Sequence, residues 1–192
     1  MPDDADAGAR TRKPPRADAR RNRERVLAAA QAAFAIEGLS VSLDDIARRA
    51  GVGAGTVHRH FPTKDDLFLA VIADRLHALT HAAQSLADAA DPGAAFFAFF
   101  HQLADDAHQN LAISAALTNP ADTGEAVRDA GKALETALGV LVARAQDAGA
   151  VRRDVDIADL HAIIAGALLI EQRLPLGSRG RGLTIVADGL RY

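Results

Sequence analysis

The sequence predicts an all-α protein of about nine helices, made of a three-helix head followed by a larger helical part. Alanine and leucine dominate the composition, and aromatic residues make up only 4% of the chain. Both features favour helices over strands. The third observation is the stretch SLDDIARRAGVGAGTVHRHFPTK at 42–64, which carries the start, turn and stop signals of short consecutive helices.

The chain begins with a basic segment that lacks the pattern of a helix. Residues 1–20 contain Pro14-Pro15 and no apolar periodicity, which predicts a disordered basic arm. A purely solubilising tail is the alternative. From Asn22 to Glu37 the apolar residues follow a helical period, and Gly38 suits the left-handed position that ends such a helix.

Residues 42–64 are predicted to form a helix-turn-helix. Ser42 is a good N-cap, and Asp45 three residues later is placed to complete a capping box. Gly51-Val52-Gly53 supplies a turn with positive φ and one apolar anchor. A second helix of only two turns then runs from Ala54 to Phe61.

The second of these helices has one inward and one outward face. Val57 and Phe61 are four residues apart, so they point into the core together. At 100° per residue Gly55 and Arg59 face outward, with Thr56 and His58 on the flanks. We expect a half-buried structural position for His60. The outward set is the candidate contact surface.

Charge divides the chain at the end of this stretch. Residues 10–64 carry twelve Lys or Arg against five Asp or Glu, whereas residues 65–192 carry ten against seventeen. A basic first third followed by an acidic remainder is expected if only the first third meets phosphate. An ordinary solvated face is the alternative, and the helix-turn-helix beside it favours the phosphate interpretation.

The stretch resembles the DNA-binding core of the TetR family of bacterial repressors. The shared residues are Ile46-Ala47, Ala50-Gly51-Val52, Thr56-Val57-His58-Arg59-His60-Phe61 and Lys64, and similar sequence extends from Val26 to Leu69. The main departure is His58, where the family usually has a tyrosine that contacts the DNA backbone. The resemblance implies a DNA-binding domain over 21–66 and a ligand-binding and dimerisation domain over 67–192.

The resemblance also implies a function, namely a transcriptional regulator that represses by binding a palindromic operator in double-stranded DNA as a homodimer. An unidentified small-molecule effector would release it, and no cofactor is expected. Arg59 is the best candidate to recognise a guanine through O6 and N7, and Lys64 opens the fourth helix, where phosphate is favoured. The predicted DNA-contacting residues are Arg48, Arg49, Gly55, Thr56, His58, Arg59 and Lys64.

The second part begins with a long fourth helix and a cluster of phenylalanines. Phe96, Phe97, Phe99 and Phe100 fall within five residues. They are candidate walls of an effector site or, equally, ordinary core. The predicted ligand-binding set is Phe96, Phe97, Phe100, His101, Asp105, His108 and Leu117. A short helix is expected over 111–117.

The helix from Ile157 to Arg173 is apolar almost all round, so one face can serve its own core while the other needs a partner. The resemblance implies that the last two helices pair with those of a second chain. The predicted dimerisation residues are Ile157, Leu160, Ile163, Ile164, Ala167 and Ile170. A central helix in a monomeric core is the alternative.

Other classes of function find little support. The chain has no cysteine, and it shows no phosphate loop or nucleophile elbow, so we predict that it is not an enzyme. His77 and His81 are four apart, a spacing that can bind a metal. Solvent-facing histidines are the simpler interpretation, with a metal-responsive regulator of the same fold as an alternative. A non-specific architectural DNA-binding protein is a further alternative. The charged start and the lack of a long apolar run predict a cytoplasmic protein with no membrane partner.

Overall fold

The computed structural model describes the backbone of residues 15–109, 124–173 and 181–192 and the side chains of residues 17–103, 105–106, 124–167 and 181–192. These residues form eight α-helices: α1 Pro15–Glu37, α2 Leu43–Ala50, α3 Ala54–His60, α4 Lys64–Leu86, α5 Pro92–Gln109, α6 Glu125–Asp147, α7 Ile157–Arg173 and α8 Arg181–Leu190. The all-α prediction is therefore confirmed. The predicted short helix over 111–117 lies outside the described residues.

The first helix begins earlier than its apolar period indicates. It begins at Pro15 rather than at Asn22, so residues 15–20, predicted as part of a disordered arm, are helical. Proline is compatible with the first helical position because its missing N–H would have no intrahelical partner there. Arg20 lies 3.5 Å from Glu24 one turn later. Such pairs extend a helix through polar sequence that has no core to face.

The head has a core of its own, built by α1, α2, α3 and the start of α4. Leu67 and Val71 of α4 belong to this core, which therefore extends beyond the predicted domain boundary at residue 66. The ring of Phe34 meets that of Phe68 edge to face at 5.5 Å. The core residues of the head are Val26, Leu27, Ala30, Ala33, Phe34, Val41, Ile46, Ala47, Ala50, Val57, Phe61, Leu67 and Val71.

A second core fills the space between α4, α5, α6, α7 and α8. Ile72, Leu76 and Leu79 of α4 are buried in it, directly after Val71, the last residue that α4 gives to the head core. Phe68 packs against both cores. The helix α4 is thus shared between the head and the remainder of the chain. A tilt of either part would therefore move α4 as well.

The C-terminal residues are fastened to the loop between α6 and α7. Val151 and Arg191 form an antiparallel bridge, and the N–H of Arg152 donates to the carbonyl of Leu190 at 3.0 Å. The Arg191 guanidinium also lies 4.0 Å from the centroid of the Phe97 ring. None of the helices in the described ranges is both long and apolar enough to cross a lipid bilayer.

Candidate nucleic-acid interface

The turn between α2 and α3 is built as its sequence predicts. The Ser42 hydroxyl accepts from the N–H of Asp45 at 3.1 Å, which starts α2. Gly51 ends α2 with φ 60° and ψ 37°, a left-handed conformation that favours glycine over residues with a Cβ. Val57 and Phe61 are buried in the head core. Together these features fix the outward face of α3.

Arg59 and Gly55 lie on that outward face. The Arg59 Nε donates to the Gly55 carbonyl at 2.9 Å, and Nη2 lies 3.4 Å from the Thr56 hydroxyl oxygen. A Cβ added at Gly55 would meet no atom within 4 Å, so the backbone there is open to a close approach. The structure therefore brings Gly55, Thr56 and Arg59 together on one exposed face.

His58, the departure from the family pattern, points back toward α2. Its Nε2 lies 3.0 Å from Oδ1 of Asp44, and both side chains are exposed. The neighbouring His60 is also exposed, so the prediction of a half-buried position for it is wrong. Phe61, the next residue, takes the buried position at the end of α3.

Arg48 and Arg49 lie at the end of α2 and are held by carboxylates of the head. Arg48 is paired with Asp45. Arg49 donates to both carboxylate oxygens of Glu37, at 2.5 and 3.1 Å. This hydrogen bonding from Arg49 lowers the pKa of Glu37 and raises the pKa of the guanidinium. The pKa of Asp45 is also lowered. The hydrogen bond from the Ser42 hydroxyl is the largest cause, and the hydrogen bond from Arg48 is the next largest.

Lys64 stands at the first position of α4, as predicted, and its Nζ donates to the carbonyl of Leu39. The helix start is secured by a complete capping box. Thr63 accepts from the N–H of Asp66 at 3.1 Å, and the Asp66 carboxylate accepts from the N–H of Thr63 at 3.0 Å. Lys64 therefore ties the 3₁₀ turn Gly38–Ser40 to the start of α4.

The predicted effector residues differ in exposure. Phe96, Phe97 and Phe100 are buried in the second core, whereas His101 and Asp105 are exposed on α5. His101 follows Phe97 by one helical turn, and its ring meets that of Phe100 edge to face with the centroids 6.0 Å apart, so the two groups are neighbours on α5. The side chain of His108 and the whole of Leu117 lie outside the described part of the structure.

An ion pair that the sequence did not reveal joins α4 to α5. Arg75 is paired with Asp106, whose side chain is 12% exposed. The second carboxylate oxygen of Asp106 is buried and finds no hydrogen-bond partner in the structure as described. The two residues are 31 apart in sequence, so no helical spacing could have predicted the pair.

The predicted dimerisation residues divide between two faces of α7. Leu160, Ile164 and Ala167 are buried in the core of the single chain, so their side chains are not available to a partner. Ile157 and Ile163 are half-buried, and the side chain of Ile170 lies outside the description. The periodicity did not separate the faces because both are apolar.

The helical spacing of His77 and His81 places both on the exposed side of α4. Among the described residues no group of three His, Cys, Asp or Glu is arranged to hold a metal ion.

Comparison with known families covers both parts of the chain. Residues 26–71 match the sequence profile described as "Bacterial regulatory proteins, tetR family". Residues 91–192, more than half of the chain, match that of "Transcriptional regulator SbtR-like, C-terminal domain". The chain belongs to the TetR family. The second match relates the C-terminal half to SbtR-like regulators, although the sequence of that half shows no recognisable motif.

Solved TetR structures share the fold over most of the chain. A TetR transcription regulatory protein from Mycobacterium vanbaalenii is 43% identical, with 93% of this chain and 100% of that chain covered and a TM-score of 0.72. The TetR transcriptional regulator SCO0520 from Streptomyces coelicolor is 35% identical, with 88% and 98% covered and a TM-score of 0.69. The resemblance noted from residues 46–64 therefore extends to the whole architecture.

Curated relatives match over a shorter span. The HTH-type transcriptional regulator SAUSA300_2515 of Staphylococcus aureus is 33% identical over 99 residues, which is 51% of this chain and 44% of that protein. The alignment thus spans less than half the length of this relative, and regulation of transcription is the property that the names of these proteins have in common.

Proposed function

We propose that this TetR-family protein is a repressor that binds a palindromic operator in double-stranded DNA. The single observation that carries the proposal is the exposed face of α3, where Gly55, Thr56 and Arg59 lie together on a helix anchored by buried Val57 and Phe61. A helix of this kind presents a few side chains to the major groove, and phosphate contacts supply most of the affinity. Arg48, Arg49, His58 and Lys64 surround that face and are the proposed phosphate contacts.

Each of these side chains is already engaged by a group of the head itself. Arg49 is held by Glu37, and His58 by Asp44. Binding to DNA would exchange these exposed carboxylates for phosphates at a modest cost, because surface ion pairs contribute little to stability. We therefore expect a steep salt dependence of DNA affinity, with little change in the fold of the head.

Selection of bound duplexes from random DNA, followed by competition gel shifts, tests the proposal. Arg59→Ala is expected to relax the preference at one base position, since a guanine contact is worth about 1–3 kcal/mol. Lys64→Ala is expected to weaken binding to all sequences alike. An equal loss on every sequence for both variants would contradict the division of roles. A wild-type protein with no preference for one palindrome would instead favour a non-specific architectural role.

We also propose that the protein acts as a homodimer through α7 and α8. These two helices pack against each other, and their surface includes Ile185, which is 65% exposed, and half-buried Ile163. A Cβ added at Gly166 or Gly189 would meet no atom within 4 Å, which leaves room for a second backbone. Light scattering at micromolar concentration tests this assignment, and a monomer there would contradict it.

The effector is proposed to bind beside α4 and to change the position of the head. Differential affinity for two arrangements of the heads is all that release requires, and coupling of about 1–3 kcal/mol is typical. Support comes from the second core, where α4 packs against α5 and α6. A thermal-shift screen of small molecules, followed by gel shifts with each stabilising compound, tests this part. A cytoplasmic location follows from the proposed function because the DNA lies there.

A further inference from the structure

Two arginines of α1 contact residues on either side of α3. Arg25 contacts Gly51, in the turn before α3. Arg23 lies over the ring of Phe61, at the residue that ends α3. Neither contact could be seen in the sequence, where both residues belong to a general basic run.

The contact between Arg25 and Gly51 is specific in geometry. The Arg25 Nη2 donates to the Gly51 carbonyl at 3.1 Å. Gly51 has φ 60°, and a Cβ built on it would lie only 2.5 Å from the same Nη2. The guanidinium therefore occupies the space that any side chain at residue 51 would need. The N–H groups of Gly51 and Val52 bond back to α2, at 3.1 Å to Arg48 and 3.0 Å to Ala47.

The contact between Arg23 and Phe61 secures the other end. The guanidinium carbon lies 5.9 Å from the ring centroid, within the range of a cation–π interaction. Phe61 is buried, and its N–H closes α3 by donating to the Val57 carbonyl at 2.8 Å. Arg23 of α1 thus covers the solvent-facing side of the Phe61 ring.

Apart from these two contacts, few interactions fix the orientation of α3. It is seven residues long, Val57 is its one buried residue, and its N-cap, Gly53, supplies no side-chain hydrogen bond. Base recognition requires that the reading side chains be held to within about 0.5 Å and 10–20°. A short helix with one buried residue needs fixed ends to meet that tolerance.

We infer that Arg25 is a positioning residue for operator recognition, and that Arg23 assists it, by fixing from α1 the turn that precedes α3 and the residue that ends α3. The inference rests on the proposed function. It differs from a phosphate contact, the ordinary role of an arginine near DNA, because the guanidinium of Arg25 both donates to the Gly51 carbonyl and fills the space beside the Cα of Gly51. Removing Arg25 should therefore lower discrimination between sequences more than it lowers affinity for DNA in general.

The test compares Arg25→Ala with Arg20→Ala, a matched control of equal charge change. Arg20 is also an exposed arginine of α1, and it is paired with Glu24 and not with the turn. Affinities for the selected operator and for a random duplex are measured at four or five salt concentrations. For Arg25→Ala we expect the ratio of the two affinities to fall roughly ten-fold, as for the loss of one base contact. The salt slope on random DNA should equal that of the control.

Hydrogen exchange adds a readout that does not depend on DNA. The amides of Gly51 and Val52 should exchange faster in Arg25→Ala than in the control, because their turn has lost its outer hydrogen bond. Arg25→Lys, which keeps the charge and one donor, should recover part of the discrimination. If Arg25→Lys recovered the full discrimination, and the salt slope of each variant followed the charge at residue 25, the positioning role would be overturned.

The failure of this inference can be told from the failure of the proposed function. If the wild-type protein prefers an operator and Arg25→Ala keeps the full preference, only the inference is overturned. A salt slope reduced by about 0.9 on operator and random DNA alike, with the affinity ratio intact, would make Arg25 a phosphate contact and also overturn it. A wild-type protein without any preference would overturn the proposed function, and the inference with it.

Discussion

Replacement of Gly51 by alanine should destabilise the head more than the same change at Gly38. Both glycines have φ 60°, so each substitution forces an L-residue into the left-handed region at a cost of about 1–2 kcal/mol. The surroundings differ. A Cβ at Gly38 meets nothing within 4 Å, whereas a Cβ at Gly51 lies 2.5 Å from the Arg25 Nη2. Only Gly51→Ala must therefore also displace the guanidinium and its hydrogen bond.

The extra cost at Gly51 can be estimated from that contact. A hydrogen bond of this kind contributes about 0.5–1.5 kcal/mol, and Arg25 is exposed, which favours the lower part of the range. We expect Gly51→Ala to cost about 2 kcal/mol and Gly38→Ala about 1.5 kcal/mol. For a chain of this size that difference lowers the melting temperature by a further ~1–2 °C.

Thermal unfolding followed by circular dichroism measures both costs, and a double-mutant cycle isolates the contact. In an Arg25→Ala background the additional cost at Gly51 should vanish, leaving about the same loss as Gly38→Ala, because no guanidinium remains to be displaced. Equal losses for the two glycines in the wild-type background would refute the reasoning. So would an additional cost at Gly51 that persists after Arg25 is removed.

Three further predictions concern other parts of the structure. Thr63→Ala should cost about 1 kcal/mol of unfolding free energy through loss of the α4 cap, while Thr63→Ser should be nearly neutral in the same urea titration. Arg49 lowers the pKa of Glu37, so that pair stabilises the fold above the ordinary glutamate range and loses its effect as pH falls through the lowered pKa. Glu37→Gln should therefore unfold at lower temperature than wild type at pH 7 and at the same temperature near pH 2; a gap that widens in acid would contradict the pairing. Phe99→Ala, at a fully buried position, should cost about 3–5 kcal/mol, whereas Ile36→Ser, at a side chain 83% exposed, should change the melting temperature little.

The sequence predicted best those features that depend on neighbouring residues. The Ser42 cap and the left-handed Gly51 were predictable because each is decided within four residues. The outward face of α3 followed from the burial of Val57. The same local logic failed for His60, which is exposed.

Features that depend on distant residues were not predictable. The contact of Arg25 with Gly51 spans 26 residues, and that of Arg75 with Asp106 spans 31. Helical period could not say which apolar face of α7 meets its own core, because both faces carry the same kind of side chain. The buried position of Leu160 became evident only when α7 was placed beside its neighbours.

Because α4 packs in both cores, a movement at one end of the helix also moves the other end. The helix runs from Lys64 to Leu86, 23 residues, and is therefore about 34 Å long. Leu67 and Val71 bind one end of it rigidly into the head. If α4 tilts by about 5° about its C-terminal end, its N-terminal end beside the head moves by about 3 Å. If α3 binds the major groove as proposed, such a displacement is large against the tolerance of groove recognition, and a small repacking beside Leu79 would then be enough to take α3 out of register with DNA.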